Sequence, residues 1–289
     1  VKLASGANQA SNLRSLDKEG FGMTGRKTIT GLCLLCALVL GAVSAQSAIA
    51  VKGTTLFTCK NEGPGHNFTK SHCKAGDFSP GNGEFEHVPI KEGTTTELKG
   101  SNVGNGADTN TTVVTTLKST IAGVSVGMQT TGVLLQGWVT NAKDPGTGEH
   151  YFHGRFKITH TGATVTAPKE KGCKIKGEEI VSKELAFTSA GKGDAVAISP
   201  VEGTVLEAIE VEGCSMAGLN GTYELKGSIS CPLDGATITC THASTTEQGT
   251  LTLKGQKAGI EGTVTVSGRD PELKETTYTP LSPTTVETP

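Results

Sequence analysis

Gly123-Val124-Ser125-Val126-Gly127 matches the G-x-S-x-G pattern of a nucleophile elbow, where a tight strand-to-helix turn lifts a serine toward a histidine base. Asp144 or Asp194, followed by His242, would complete the chain order of such a hydrolase. The surroundings argue otherwise. Met128-Gln129-Thr130-Thr131-Gly132-Val133 lacks a helical pattern, and no His-Gly-Gly segment precedes the serine to form an oxyanion hole. The expectation here is a strand carrying small residues at Gly123, Ser125 and Gly127. Cys59, His66, His72, Cys73 and His87 gather zinc-ligand types in one short stretch. Their spacing is not a standard zinc pattern, and an exported protein favours a disulfide between the two cysteines. His150, His153 and His160 form a third group. His153 falls on the polar face of its segment and His160 continues the apolar face, so these side chains are expected to be solvated or hydrogen-bonded, not ligating. Glu178-Glu179 could serve a glycosidase only with a partner within about 5–10 Å, and a solvated pair is the default. No catalytic, metal or cofactor-binding residue is assigned, and no cofactor is expected.

Trp138 is the single tryptophan and lies in the most apolar segment, Val133–Val139. With so few other large side chains, a core position is the first expectation. The alternative is an exposed Trp138 that stacks with Tyr151 on a sugar ring, since an aromatic side chain offers an apolar face and a polar edge.

Residues 28–50 are the only long apolar stretch. Arg26 and Lys27 precede it, Leu32 to Leu40 form its apolar heart, and Ala48-Ile49-Ala50 offers an A-x-A cleavage site, with Val43-Ser44-Ala45 as the rival. These are the parts of a secretory signal peptide. The apolar run is short for a membrane span, which needs about 20 such residues. Met23 stands immediately before it and is the expected true start, so residues 1–22 are an upstream extension. Beyond residue 50 the chain carries 21 basic and 26 acidic residues, net −5. This mild, mixed charge argues against nucleic acid or anionic lipid as a partner.

Six cysteines remain past the signal: Cys59, Cys73, Cys173, Cys214, Cys231 and Cys240. An even count outside the reducing cytosol reads as disulfides, and six thiols allow 15 connectivities. Proximity favours Cys59–Cys73 and Cys231–Cys240, which leaves Cys173–Cys214.

The elements that must hold these residues are strands. The chain has 42 Thr and 39 Gly, with 35% hydrophobic and 4% aromatic residues. β-Branched Thr suits pleated sheet, and Gly disfavours helix. The composition excludes collagen, coiled coil and polytopic membrane protein. Phe152, Gly154, Phe156 and Ile158 alternate with polar residues, as do Tyr223 to Cys231, Ala236 to Cys240, and Val264 with Val266. A period of two with one wet face is the mark of antiparallel sheet. The best helix candidate is residues 178–187. Thr116-Leu117-Lys118 with Ala122-Gly123 recurs 136 residues later as Thr252-Leu253-Lys254 with Ala258-Gly259, which suggests two equivalent hairpins. Phe68, Phe78 and Phe85 are expected to cover a small core near Cys59. Asn67, Asn110 and Asn220 fit the N-glycosylation pattern, which matters only in a eukaryotic host.

Thr54-Thr55-Leu56-Phe57-Thr58-Cys59, His72-Cys73, Gly83-Glu84-Phe85-Glu86-His87 and Gly93-Thr94-Thr95-Thr96 resemble a group of exported Thr/Gly-rich paralogous proteins of high-GC actinobacteria. Gly213-Cys214, Leu219-Asn220-Gly221-Thr222 and Gly255-Gln256-Lys257-Ala258-Gly259 are similar to the same group. The likeness covers most of residues 51–268. It carries no catalytic residues and implies a bacterial envelope or extracellular protein.

The expected fold is mainly β, an antiparallel β-sandwich-like domain with a small disulfide-stapled N-terminal unit. The expected organisation is a signal-bearing segment 1–50, a cysteine-bracketed β unit 51–100, an antiparallel β domain 101–268 and a Pro/Thr-rich tail 269–289. The expected function is that of a secreted, non-enzymatic extracellular or cell-surface protein with a structural or adhesive role. A carbohydrate-binding module is the first alternative and a secreted hydrolase the second. The partner would be cell-wall polysaccharide or an extracellular protein, with no nucleic acid and no membrane in the mature form.

Overall fold

A computed structural model describes residues 52–71, 73, 75–102, 113–189, 195–242, 249–269 and 278–287. The signal-peptide segment, His72, Asn110 and Asp194 lie outside them. Residues 50–289 cluster as one unit. Among the described residues there are nineteen strands and three short 3-10 turns, and no α-helix. The strands are β1 (Lys52–Phe68), β2 (Phe78–Pro89), β3 (Thr96–Ser101), β4 (Thr115–Ile121), β5 (Val124–Thr130), β6 (Gly132–Lys143) and β7 (His150–Thr161). Then follow β8 (Thr164–Ala167), β9 (Lys174–Ile175), β10 (Glu179–Val181), β11 (Leu185–Ser189), β12 (Ala195–Pro200) and β13 (Val205–Glu212). The last six are β14 (Gly221–Lys226), β15 (Ile229–Asp234), β16 (Thr237–His242), β17 (Thr252–Leu253), β18 (Gln256–Arg269) and β19 (Thr279–Glu287).

Eight of them close on themselves in the order β3-β6-β7-β11-β12-β15-β16-β18 and back to β3, every pair antiparallel. Mainly antiparallel β structure is as expected, but the sheet closes into a barrel instead of forming the two stacked layers of a sandwich. Alternation along a strand is the same in both architectures, so it does not report closure. The inward positions carry Leu98, Leu135, Val139, Phe152, Phe156, Phe187, Val196 and Leu233, all buried. Gly154 lies among them. A Cβ there would stand 2.6 Å from the Phe187 ring, so the missing side chain is the space that the ring fills.

Two flanking layers close the barrel mouths. β1 pairs with β19 from Lys52↔Glu287 to Thr58↔Leu281 and sends Leu56 and Leu281 into the core beside Leu98, Phe152 and Val266. Asn141, at the end of β6, fixes this layer: its Oδ1 accepts from the Leu56 amide at 2.9 Å, and its Nδ2 donates to the Leu56 and Ile90 carbonyls. At the other mouth the β13–β14 hairpin, flanked by β9 and β17, contributes buried Leu206, Ile209, Tyr223 and Leu225. The β4–β5 hairpin, with β8 beside it, pairs onto the first half of β18.

Other expectations change. Residues 178–187 form β10 and β11, not a helix. Ser182 keeps the ladder running between them, exchanging hydrogen bonds with the Ile158 backbone through its own amide and its Oγ. The Pro/Thr-rich tail ends as strand β19, with Leu281 fully buried. The two halves of the suspected repeat are not equivalent. Ala122-Gly123 is the left-handed two-residue turn of the β4–β5 hairpin, φ 49° and 79°, whereas Ala258-Gly259 lies inside β18. The corresponding turn before β18 is Lys254-Gly255, φ 49° and 75°. Near Cys59 a separate small core forms from Cys59, Phe68 and Cys73, with Phe85 against it; Phe78 is 54% exposed and touches Phe68 only edge-on. The three disulfides are those that proximity suggested, Cys59–Cys73, Cys173–Cys214 and Cys231–Cys240.

Candidate functional site

The longest regular hairpin is β6–β7, paired without interruption from Gly132↔Thr161 to Lys143↔His150. Its connection is fixed by Asp144, whose Oδ1 accepts the Gly146 and Thr147 amides at 2.8 Å each. Those amides, Thr147 first, hold the Asp144 carboxyl below its usual range. Asp144 is thus a turn residue.

Alternation along this hairpin decides where Trp138 goes. Val133, Leu135 and Val139 face inward, so Trp138 faces out and is half-buried. It does not fill the core. His153 meets it edge to face, with ring centroids 5.9 Å apart, and Tyr151 stacks on His153 at 5.5 Å. Trp138 stands directly opposite Arg155 on β7 and Glu97 on β3. Arg155 pairs with Glu184. Glu97 accepts from Arg269 Nε at 3.0 Å, from Arg269 Nη2 and from the Tyr278 hydroxyl at 2.9 Å. These partners, Arg269 first, hold its carboxyl below the usual range. The Tyr278 ring lies under both Lys99 and Arg269.

The outer wall across β18, β3, β6 and β7 therefore presents aromatic rings interleaved with polar groups. Strands lie about 4.8 Å apart, so β3 to β7 spans about 10 Å. Gln136, Arg155 and Lys99 are exposed on the same wall. Chemically, the wall offers flat apolar ring faces bordered by hydrogen-bond donors and by one fixed carboxylate.

The remaining candidates scatter. Ser125 is exposed in β5 opposite Thr120, on a strand and not on a strand-to-helix turn. Glu178 and Glu179 are both exposed. The Cys59–Cys73 disulfide uses both thiols of the would-be zinc set; His87 bonds the Cys73 carbonyl through Nε2 and is packed against Phe68. Asn67 and Asn220 spend their amides on Glu86 and on the Cys214 backbone. His150, His153 and His160 do not converge, and among the described residues no group of three metal-ligand types does so.

His160 belongs to a feature that sequence reasoning did not assemble. Its Nε2 lies 3.3 Å from Glu207 Oε2 and its Nδ1 3.3 Å from Thr130 Oγ1, with both His160 and Glu207 buried. The tautomer with hydrogen on Nε2 satisfies both contacts: Thr130 donates to Nδ1, and Nε2 donates to the carboxylate. A signal existed, because His160 and Glu207 each occupy an apolar phase of their strand. Tyr278, Arg269 and Glu97 gave none, because Arg269 and Tyr278 lie 172 and 181 residues from Glu97 along the chain.

Comparison with protein-family models, curated proteins and solved structures finds no match.

Proposed function

We propose that this chain is a secreted, non-enzymatic extracellular or cell-surface protein with an adhesive role, and that it holds carbohydrate on the outer barrel wall. One observation carries the reading: Trp138, Tyr151 and His153 share an outward row on β6 and β7, opposite the face whose Phe152 and Phe156 rings fill the interior. A pyranose ring has an apolar face of C–H groups that suits an aromatic platform, and its hydroxyls suit the neighbouring Gln136, Arg155 and Lys99. Three disulfides support an oxidising compartment, in line with the signal-like segment before residue 50. The hydrolase alternative loses support from the strand setting of Ser125 and the exposure of Glu178 and Glu179.

Because Trp138 is the only tryptophan, fluorescence excited selectively at tryptophan reports on this wall. The test mixes the protein spanning residues 51–289 with insoluble polysaccharides and isolated cell walls, measures the fraction pelleted, and titrates soluble oligosaccharides against Trp138 emission. The expected result is saturable pelleting with one polymer and a saturable emission change, both lost in Tyr151→Ala with unchanged melting temperature. No pelleting with any polymer and constant emission would refute the carbohydrate reading.

A further inference from the structure

The outer wall around Trp138 is not only aromatic; its charges are uneven. Alternation puts Lys99, Gln136 and Lys157 on the same face as Trp138. Pairing sets them side by side on three neighbouring strands, Lys99 on β3 opposite Gln136 on β6, and Gln136 opposite Lys157 on β7. All three are exposed. The adjacent row, two residues along each strand, holds Glu97, Trp138 and Arg155 in the same order.

The charges on this wall do not cancel. Its two carboxylates are already engaged, Glu97 by Arg269 and Tyr278 and Glu184 by Arg155. Lys99 lies over the Tyr278 ring, 5.7 Å from its centroid, a contact that leaves the charge whole. Among the described residues neither Lys99 nor Lys157 forms an ion pair. Two unmatched ammonium groups therefore flank the Gln136 side chain, on a chain that is net −5 beyond residue 50.

The spacing suits a single anionic group. The backbones of Lys99 and Lys157 are two strand spacings apart, about 10 Å, so their long flexible side chains can converge over Gln136. That point lies about 7 Å along β6 from Trp138, two residues at about 3.4 Å each. A sugar ring stacked on Trp138 thus has a positively charged site one pleat away, within reach of its own substituent or of the next ring's.

We infer that the wall takes an acidic polysaccharide, one whose rings bear carboxylate or sulfate groups. One ring lies on Trp138, and an anionic group sits between Lys99 and Lys157, where the Gln136 amide also donates to it. This specificity rests on the carbohydrate reading of the wall and adds the charge of the ligand to it.

The test uses the protein spanning residues 51–289 and soluble polymers in matched acidic and neutral forms: polygalacturonate and its methyl ester, hyaluronate and its methyl ester, and hydroxyethyl cellulose with and without sulfate. Affinity is read by calorimetry and by Trp138 emission. One exposed ion pair is worth up to about fivefold in affinity, so two ammonium groups should give the acidic form of one backbone a preference of about fivefold or more at low salt. That preference should fade as added salt screens the charges. Whether the carboxylated or the sulfated polymer shows it identifies the anionic group. Lys99→Gln combined with Lys157→Gln should erase the preference while the neutral form binds as before, and Lys157→Arg should keep it. Both lysines are exposed, so the variants should melt like the unmodified protein. Equal affinity for the two forms of each polymer, or a preference that survives the double substitution, overturns this inference and leaves the carbohydrate reading standing. Binding of no polymer in either form refutes both. Oligodeoxythymidylate that binds as tightly as the best acidic polymer would make the row a general polyanion site and overturns the inference as well.

Discussion

Replacing Asn141 by Ala should loosen one mouth of the barrel. The Asn141 side chain is 4% exposed and makes three hydrogen bonds of 2.9–3.0 Å to the layer that covers this mouth. In the Ala variant the Leu56 carbonyl retains the Ile90 amide at 3.4 Å. The Leu56 amide and the Ile90 carbonyl lose the side-chain partner seen here. A stranded buried polar group costs about 1–3 kcal/mol, and an ordinary lost bond about 1 kcal/mol, so two such groups and one such bond total about 3–7 kcal/mol. That is a large part of a total stability of about 5–15 kcal/mol. Urea unfolding followed by far-ultraviolet dichroism measures the total, and amide exchange at Leu56 locates it. Asn141→Asp sharpens the test. It keeps the acceptor for the Leu56 amide but turns a carboxylate toward two carbonyl oxygens. At neutral pH it should be less stable than Asn141→Ala, and it should recover in acid as the carboxyl takes up a proton and becomes a donor. A loss below about 1 kcal/mol in the Ala variant, or an Asp variant insensitive to acid, would refute the view of Asn141 as the fastening between barrel and cover.

Other measurements probe separate features. Burial lowers the pKa of His87 below its usual 6.5, outweighing the Cys73 carbonyl and Glu86, which raise it. The unfolded chain then binds the proton first, so stability is full above pH 6.5 and falls as pH drops through the folded value; melting temperatures from pH 8 to 5 should show the fall, and His87→Phe should flatten it. Removing the disulfides one pair at a time should rank by loop length: about 3.9 kcal/mol for Cys173–Cys214, about 3.0 for Cys59–Cys73 and about 2.6 for Cys231–Cys240, from separations of 41, 14 and 9 residues. Urea midpoints of the three double-Ser variants check the order. Phe152→Ala should lose about 3–5 kcal/mol from the barrel interior, and Trp138→Ala clearly less because it faces outward; comparable losses would place Trp138 in the core after all.

Much of the strand content was legible because one residue in two answers to the core. Phe152, Phe156 and His160 keep that phase through β7, and Tyr223 and Leu225 keep it through β14. The reading failed where a side chain took over backbone duty. At Ser182 a hydroxyl continues the ladder, so the polar stretch between Val181 and Leu185 resembled a helix face when it was a strand joint. Trp138 and Tyr151 were found as a pair because the hairpin that joins them is local. Their identity as a wall depended on which phase faces inward, that of Trp138 or that of Leu135 and Val139, and apolar residues on both phases of Val133–Val139 leave Gln136 as the single polar marker of the outer one. Closure of the barrel was not legible at all, since it depends on pairings such as Leu98↔Gly268 between strands far apart in sequence.

Strand β18 pairs along its length with β17, β4, β16, β3 and β19, and β19 in turn pairs with β1. A ribosome or translocation channel releases the chain from its N-terminal side. Until β18 emerges, β3 and β16 lack their shared neighbour, and until β19 follows, β1 has no partner on that edge. The barrel thus cannot close during synthesis before β18, the last of its eight strands in chain order, is free. Folding dominated by such distant pairings is slow.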